Sequence, residues 1–173
     1  MAGTMNPYAE ENFWRLLTSR RRPGRVPFAG GIAPLVRGRV EGRLLGGNFS
    51  LVQAILGTPF QPNFRGSLLF LEDIGEEPYR IDRMFAHLRN AGILKSVAGI
   101  VTGQFTDCGP RDPGKPTLTL DEVLAGYATS AGKPFLAGAS IGHEDAKATI
   151  PVGIMARLDV SRGTLSLLEP AVC

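Results

Sequence analysis

Leu68-Leu69-Phe70-Leu71-Glu72-Asp73 is an unbroken apolar run closed by two carboxylates. A strand with one wet face alternates apolar and polar residues, so a run without alternation predicts a strand covered on both faces. A helix follows it: Pro78 suits the first turn, Ile81, Met84, Phe85 and Leu88 recur at i, i+3, i+4 and i+7, and Gly92 stops the repeat. Val97 to Thr102 reads as the next strand. Thr119-Leu120-Asp121-Glu122 is a capping box opening a helix with Val123, Leu124 and Tyr127 inward and Gly132 at its end. Pro134 to Ala137 is a third strand.

Outward from this segment the pattern weakens. Upstream, Asn48 is a good N-cap, and Leu51, Val52, Ile55 and Leu56 form an apolar face ending at Gly57. Arg20 to Gly47 is the least regular part, where Val36 and Val40, among Arg37, Gly38 and Arg39, suggest short, bent strands. Asn6 to Thr18 reads as a helix with Phe13, Leu16 and Leu17 on one face, and a linker is expected near Ser19 to Arg25. Downstream, Ile150 to Leu158 and Thr164 to Leu168 read as two antiparallel strands around Ser161-Arg162-Gly163. Strands alternating with helices imply right-handed crossovers and parallel pairing. The fold class is α/β, with a mixed, largely parallel sheet, flanking helices and a closing antiparallel pair.

The 173 residues, 43% apolar and 20% charged, suit one ordinary domain. The net charge of +3 is concentrated at Arg20-Arg21-Arg22 and Arg25, beside Pro23 and Gly24, which reads as a solvated linker. No helix-turn-helix, aromatic-basic interleaving or zinc knuckle argues for nucleic acid. No apolar run approaches the ~20 residues that span a bilayer, and the start has no charged-then-apolar order of a secretion signal. Met1–Met5 has the look of a non-native leader and carries no part of the fold reading. Cys108 and Cys173 lie far apart and make no disulfide framework, which suits a reduced, cytoplasmic setting. Only His87 and His143 are present, neither in a metal-ligand spacing, so no metal or cofactor is expected.

Ligands of open α/β sheets bind beyond the carboxyl ends of the strands. One such end carries Glu72 and Asp73; another Gly103, Gln104 and Asp107; a third Gly138, Ser140, Gly142 and His143. A carboxylate and a histidine from two strand ends can then meet over the sheet, as a base and its orienting acid do. Asp73, Glu76 and Glu77 precede a helix, where carboxylates suit the positive end of the dipole. Glu72 ends a run that should be buried, and an interior carboxylate needs partners. His87 falls on the side of its helix away from Ile81 and Phe85. Gln104 and Asp107 are placed to line a substrate site by position alone. Gly138-Ala139-Ser140-Ile141-Gly142 matches the G-x-S-x-G elbow by letter, but Pro151 leaves little room for the helix that elbow needs.

Gly46-Gly47-Asn48-Phe49-Ser50, Gly57-Thr58-Pro59, Leu69-Phe70-Leu71-Glu72-Asp73 with Gly75-Glu76, and Pro78-Tyr79-Arg80-Ile81-Asp82-Arg83 resemble motifs of the LD-carboxypeptidase family of serine peptidases. Gly142-His143 and Ile150-Pro151-Val152-Gly153 are similar to that family's histidine loop and the strand after it. The resemblance runs from about Gly38 to Leu168. It implies a swivelling β/α carboxyl-terminal domain in which Glu72 and His143 are the catalytic glutamate and histidine, serving a serine on a separate amino-terminal domain. The implied reaction is cytoplasmic hydrolysis of an L,D-peptide bond, releasing a terminal D-amino acid from murein tetrapeptide during peptidoglycan recycling. A branch of the family cleaves antibiotic peptide conjugates instead, and a non-catalytic binding domain of the same fold is a further reading.

None of Ser19, Ser50, Ser67, Ser96, Ser130, Ser140, Ser161 or Ser166 stands in the family's nucleophile motif. Residues 1–30 are therefore expected to be the tail of a missing nucleophile domain with its linker, and 31–173 the His/Glu domain. By itself the chain is expected to be inactive and to self-associate, as a homodimer or otherwise, through the face that the missing domain would cover.

Overall fold

The computed structural model describes residues 5–112, 114 and 116–172; Cys173 lies outside them, as do Met1 to Thr4. Its strands are β1 (Gly24–Arg25), β2 (Ala33–Val36), β3 (Arg39–Asn48), β4 (Leu68–Ile74), β5 (Gly99–Thr106), β6 (Phe135–Ala137), β7 (Met155–Asp159) and β8 (Thr164–Leu167). Its helices are α1 (Pro7–Leu17), α2 (Phe49–Ala54), α3 (Pro78–Asn90), α4 (Ile93–Ser96) and α5 (Leu120–Ala131). One sheet runs in the order β1-β8-β7-β3-β4-β5-β6-β2. Its centre, β3 to β6, is parallel. Antiparallel pairing extends beyond the expected β7–β8 hairpin, to β3 with β7, β1 with β8 and β2 with β6.

The unbroken apolar run becomes β4, buried from Leu68 to Asp73 with β3 on one side and β5 on the other. Its two faces feed two cores. Leu69 and Leu71 join α2 to α5 through Phe49, Ile81, Phe85, Leu88 and Tyr127. There Phe85 packs edge-on to Phe49 at 4.8 Å and stacks on Tyr127 at 5.0 Å. Each such ring pair adds about 0.5–1.5 kcal/mol to the area it buries. Leu68 and Phe70 meet Leu16 of α1, Val26, Ala139, Ile141, Ala148 and the inward residues of β7 and β8. Four helices therefore cover one face, while α1 and the loop after β6 cover much of the other.

The capping signals hold at atomic level. Thr119 Oγ1 accepts from the Glu122 amide at 3.2 Å, and Glu122 Oε2 accepts from the Thr119 amide at 2.7 Å. The Thr119 amide, and the Thr119 hydroxyl that also donates to Glu122 Oε2 at 2.8 Å, hold the Glu122 carboxyl below its usual range. Asn48 Oδ1 accepts from the Leu51 amide at 3.2 Å. Other expectations are corrected. Inside the stretch read as irregular, β3 is a ten-residue strand near the middle of the sheet; its polar outer residues hid the pairing with β7. On α2 the buried residues are Phe49 and Val52, and Leu51 is 68% exposed. On α1 Leu16 is buried but Leu17 is exposed, because the inward face runs through Ala9, Asn12 and Leu16. β7 begins at Met155, five residues later than Ile150. Within the expected linker, Gly24–Arg25 pairs with β8 at the sheet edge.

Candidate active site

Alternation along β4 sends its two terminal carboxylates to opposite faces. Glu72 lies on the Leu68–Phe70 side and Asp73 on the Leu69–Leu71 side. Both are buried, at 7% and 3% exposure.

His143 reaches Glu72 because its loop is laced to β5. The Ala139 amide donates to the Thr102 carbonyl at 2.9 Å, and the Gln104 amide to the Ile141 carbonyl at 2.8 Å. Gln104 Nε2 adds a bond to the Gly138 carbonyl at 3.2 Å. At the rim, Thr106 Oγ1 donates to Glu144 Oε1 at 3.0 Å. The loop thus continues the sheet beyond β6, and His143 Nδ1 stands 2.7 Å from Glu72 Oε2. That distance is typical of a hydrogen bond with a charged partner. The carboxylate side is 9% exposed and the imidazole side 43% exposed, so the acid is walled in while the ring meets solvent. With Nδ1 donating to Glu72, Nε2 is the nitrogen free to act on another group.

A bulge fits β4 to β5 beside this pair. Leu71 pairs with Thr102 and Asp73 with Phe105, so Glu72 alone stands opposite Gly103 and Gln104. Side chains would not fit on this side. A Cβ at Gly103 would meet the Ile141 carbonyl at 2.2 Å, and one at Gly142 would stand 3.0 Å from Glu72 Oε2. Gly142 also sits at φ +129°, outside the range ordinary residues adopt.

Asp73 has a separate set of partners. Its carboxylate accepts from Asn48 Nδ2 at 2.8 Å, the Ser50 amide at 2.9 Å, Ser50 Oγ at 2.8 Å and its own neighbour's amide, Ile74, at 2.9 Å. The sequence reading grouped Asp73 with Glu76 and Glu77 ahead of α3. It instead binds the opening of α2, the helix after the neighbouring strand. Asn48 and Ser50 were visible as capping residues, but nothing local in sequence pairs them with a carboxylate 23 positions away. Glu76 pairs with Arg80 at 3.2 Å, and Glu77 accepts from the Arg111 amide at 3.1 Å. Burial pushes the nearby Cys108 thiol up, the backbone at Glu76 and Gly75 pulls it back by hydrogen bonding, and the charges of Asp73 and Glu76 add to the rise.

The remaining candidates fall in different places. Gln104 lines a cleft of about 460 Å³ with Gly30, Gly31, Ser140, Glu144 and Asp145. Asp107 stands exposed in the turn after β5, at φ +51°, and is not among the residues lining that cleft. Ser140 is 4% exposed, and its Oγ accepts from the Ala29 amide at 2.8 Å. Residues 141–149 form no helix, so the elbow geometry is absent at Ser140. His87 is exposed, with Nδ1 at 3.0 Å from Gln53 Nε2. Among the described residues no three or more His, Cys, Asp or Glu side chains are grouped to hold a metal, and no helix is long and apolar enough to cross a membrane.

The family described as LD-carboxypeptidase C-terminal domain matches residues 41–158. The chain is 45% identical over 141 residues to the protein named "Probable murein peptide carboxypeptidase" of Bacillus subtilis, covering 82% of this chain and 44% of that one. It is 30% identical to a microcin self-immunity protein of Escherichia coli, over 76% of this chain and 38% of that one. Among solved structures, a muramoyltetrapeptide carboxypeptidase from Oxalobacter formigenes superposes with a TM-score of 0.79 at 30% identity, covering 95% of this chain and 55% of that one. The chain spans about half the length of the relatives it matches.

Proposed function

Because the chain belongs to the LD-carboxypeptidase family, as its carboxyl-terminal domain, we propose that it supplies the general base of a serine peptidase whose nucleophile stands on an amino-terminal half. His143 is that base and Glu72 the carboxylate that aims it. The observation that carries this reading is the 2.7 Å contact between His143 Nδ1 and a buried Glu72 Oε2, with the rest of the imidazole open to solvent.

The chemistry follows from the pair. Nε2 takes the proton of a serine hydroxyl as that oxygen attacks the scissile carbonyl. The imidazolium so formed is stabilised by Glu72, and Nε2 then returns the proton to the departing amine. Base catalysis of this type contributes roughly 10²–10⁴-fold. The oxyanion donors beside the serine belong to the other half, so this chain alone has no activity in this reading.

The substrate is a murein peptide, and the leaving group a terminal D-amino acid, in cytoplasmic recycling. The higher identity to the murein peptide carboxypeptidase than to the self-immunity protein, 45% against 30%, favours this over an antibiotic conjugate. Residues 1–30 are the tail of the nucleophile half with its linker, and 31–173 the His/Glu domain. Gln104, on the wall of the adjoining cleft, contacts the substrate; Asp107, exposed in the turn after β5, is the weaker contact.

The test is D-alanine release from murein tetrapeptide by this chain joined to the amino-terminal half that its relatives carry. His143→Ala should lower the rate by two or more orders of magnitude, roughly the contribution of a general base. Release at the undiminished rate would remove His143 from the mechanism.

A further inference from the structure

We infer that Asp73 is a positioning residue for the Glu72–His143 pair, acting through the backbone of β4. The inference rests on the reading of Glu72 and His143 given above and extends it to a residue that touches neither of them in the hydrogen-bond network.

Glu72 has only short-range means of being aimed. It stands alone opposite Gly103 and Gln104, at a bulge where the β4–β5 ladder is interrupted. A bulge re-aims the side chains beside it, and the direction depends on what pins the strands on either side. On the amino side, Leu71 is pinned by its pairing with Thr102 and Gly47 and by its place in the core. On the carboxyl side the register resumes at Asp73 with Phe105, only a residue before the strand ends at Ile74. Ile74 then pairs with Thr106, and the Gly75 amide donates to the Thr106 carbonyl at 2.9 Å, so β4 stays tied to β5, whereas the ladder to β3 ends at Glu72 with Asn48.

Asp73 makes up the difference. Its two oxygens accept four hydrogen bonds at 2.8–2.9 Å. Three of the donors belong to Asn48 and Ser50, at the end of β3 and the start of α2. The β3 partner of Glu72 in the ladder is Asn48 itself. One buried carboxylate therefore ties the strand end just past Glu72 to the end of β3 and the start of α2, from the face opposite His143. A buried carboxylate is costly unless its lone pairs are filled, and here neutral donors fill them. An amide in its place would turn an NH₂ toward donors. Glu72, free to swing with the loosened strand end, would then lose the 2.7 Å contact.

The readout is the imidazole ¹⁵N chemical shifts of His143 in this chain, which report the Nδ1 hydrogen bond and the tautomer without requiring the nucleophile half. Glu72→Gln sets the scale of a lost contact. Asp73→Asn is expected to move the His143 shifts a large part of the way toward the Glu72→Gln values. Ser50→Ala, which removes one of the four donors, should move them less and in the same direction. Thr119→Ala, at the cap of α5, is the control for general destabilisation and should lower Tm without moving them.

The outcomes separate. If Glu72→Gln leaves His143 unmoved, the pair itself is wrong and the proposed function falls with it. If Glu72→Gln moves the shifts but neither Asp73→Asn nor Ser50→Ala does, this inference alone is overturned. If Asp73→Asn does not fold, Ser50→Ala decides: movement supports the clamp, and unchanged shifts overturn it.

Discussion

A side chain at Gly142 would crowd the carboxylate of Glu72: a Cβ there stands 3.0 Å from Oε2 and 3.3 Å from the Glu72 Cβ, so the acid would have to give way. The residue before His143 is thus the floor on which the acid rests, and its φ of +129° adds a backbone reason for glycine. Gly142→Ala is expected to destabilise the chain by about 1–3 kcal/mol, the usual cost of overpacking or of such strain. Joined to an amino-terminal half, the variant should also lose activity, by less than the ~10²-fold that misplacing the base by a full ~1 Å costs. Urea unfolding and D-alanine release measure the two effects. A variant with full activity would show that the Glu72 carboxylate has slack that the packing denies.

The parts of this arrangement that depend on short-range patterns could be read from sequence. β4, α3 and α5 announce themselves by a solid apolar run, a helical repeat and a capping box, because each is fixed by residues within a few positions of one another. Glu72 and His143 were readable as candidates because a carboxylate after a buried run and a histidine in a glycine-flanked loop are both unusual. The remainder depends on contacts distant in the chain. The lacing of residues 138–141 onto β5 uses mainly backbone groups, which no side-chain pattern records. Asp73 looks like any acid ahead of a helix until Asn48 and Ser50 are brought beside it. β3 was hidden because β7 arrives more than a hundred residues later to pair with its charged outer half, Glu41 meeting Arg157.

Tyr127 gives the helical layer a pH dependence on the alkaline side. Its hydroxyl donates to the Asp82 backbone and carboxylate oxygens, both at 3.0 Å, joining α5 to α3. Burial first, then the bond to Asp82 and its charge, hold the hydroxyl above its ordinary range, with Arg89 pulling the other way. The folded state therefore favours the protonated form. Its contribution is complete below the unfolded tyrosine value, about 10, and is lost as pH rises through the folded value. Urea midpoints should fall as pH rises above about 10, and Tyr127→Phe should flatten that fall while weakening the protein at neutral pH. An unchanged slope in the variant would assign alkaline loss to other groups.

The exposed apolar residues of α1 argue for association. Trp14 is 53% exposed and Leu17 45%. In the proposed two-domain protein this surface packs against the nucleophile half, and in its absence a second copy is the available cover. Sedimentation should show mass rising with concentration, and Trp14→Glu should shift the population toward monomer. A monomer at all concentrations for the parent chain would mean that these side chains are tolerated in water as they stand.

Ser140 tests whether the chain needs an outside nucleophile. Its hydroxyl is committed inside the fold, accepting from the Ala29 amide at 2.8 Å. A hydrogen bond to Ser140 also bears on Tyr8, whose hydroxyl is raised by burial and lowered in part by that bond and by Arg15. An attacking serine needs its oxygen accessible as well as a base within reach of its proton, and a residue 4% exposed fails the first need. A serine-reactive fluorophosphonate should leave the chain unlabelled, while Ser140→Ala should destabilise it by about 1–3 kcal/mol through the orphaned Ala29 amide. A stoichiometric adduct on Ser140 would make this a self-contained hydrolase and would dispense with the amino-terminal half altogether.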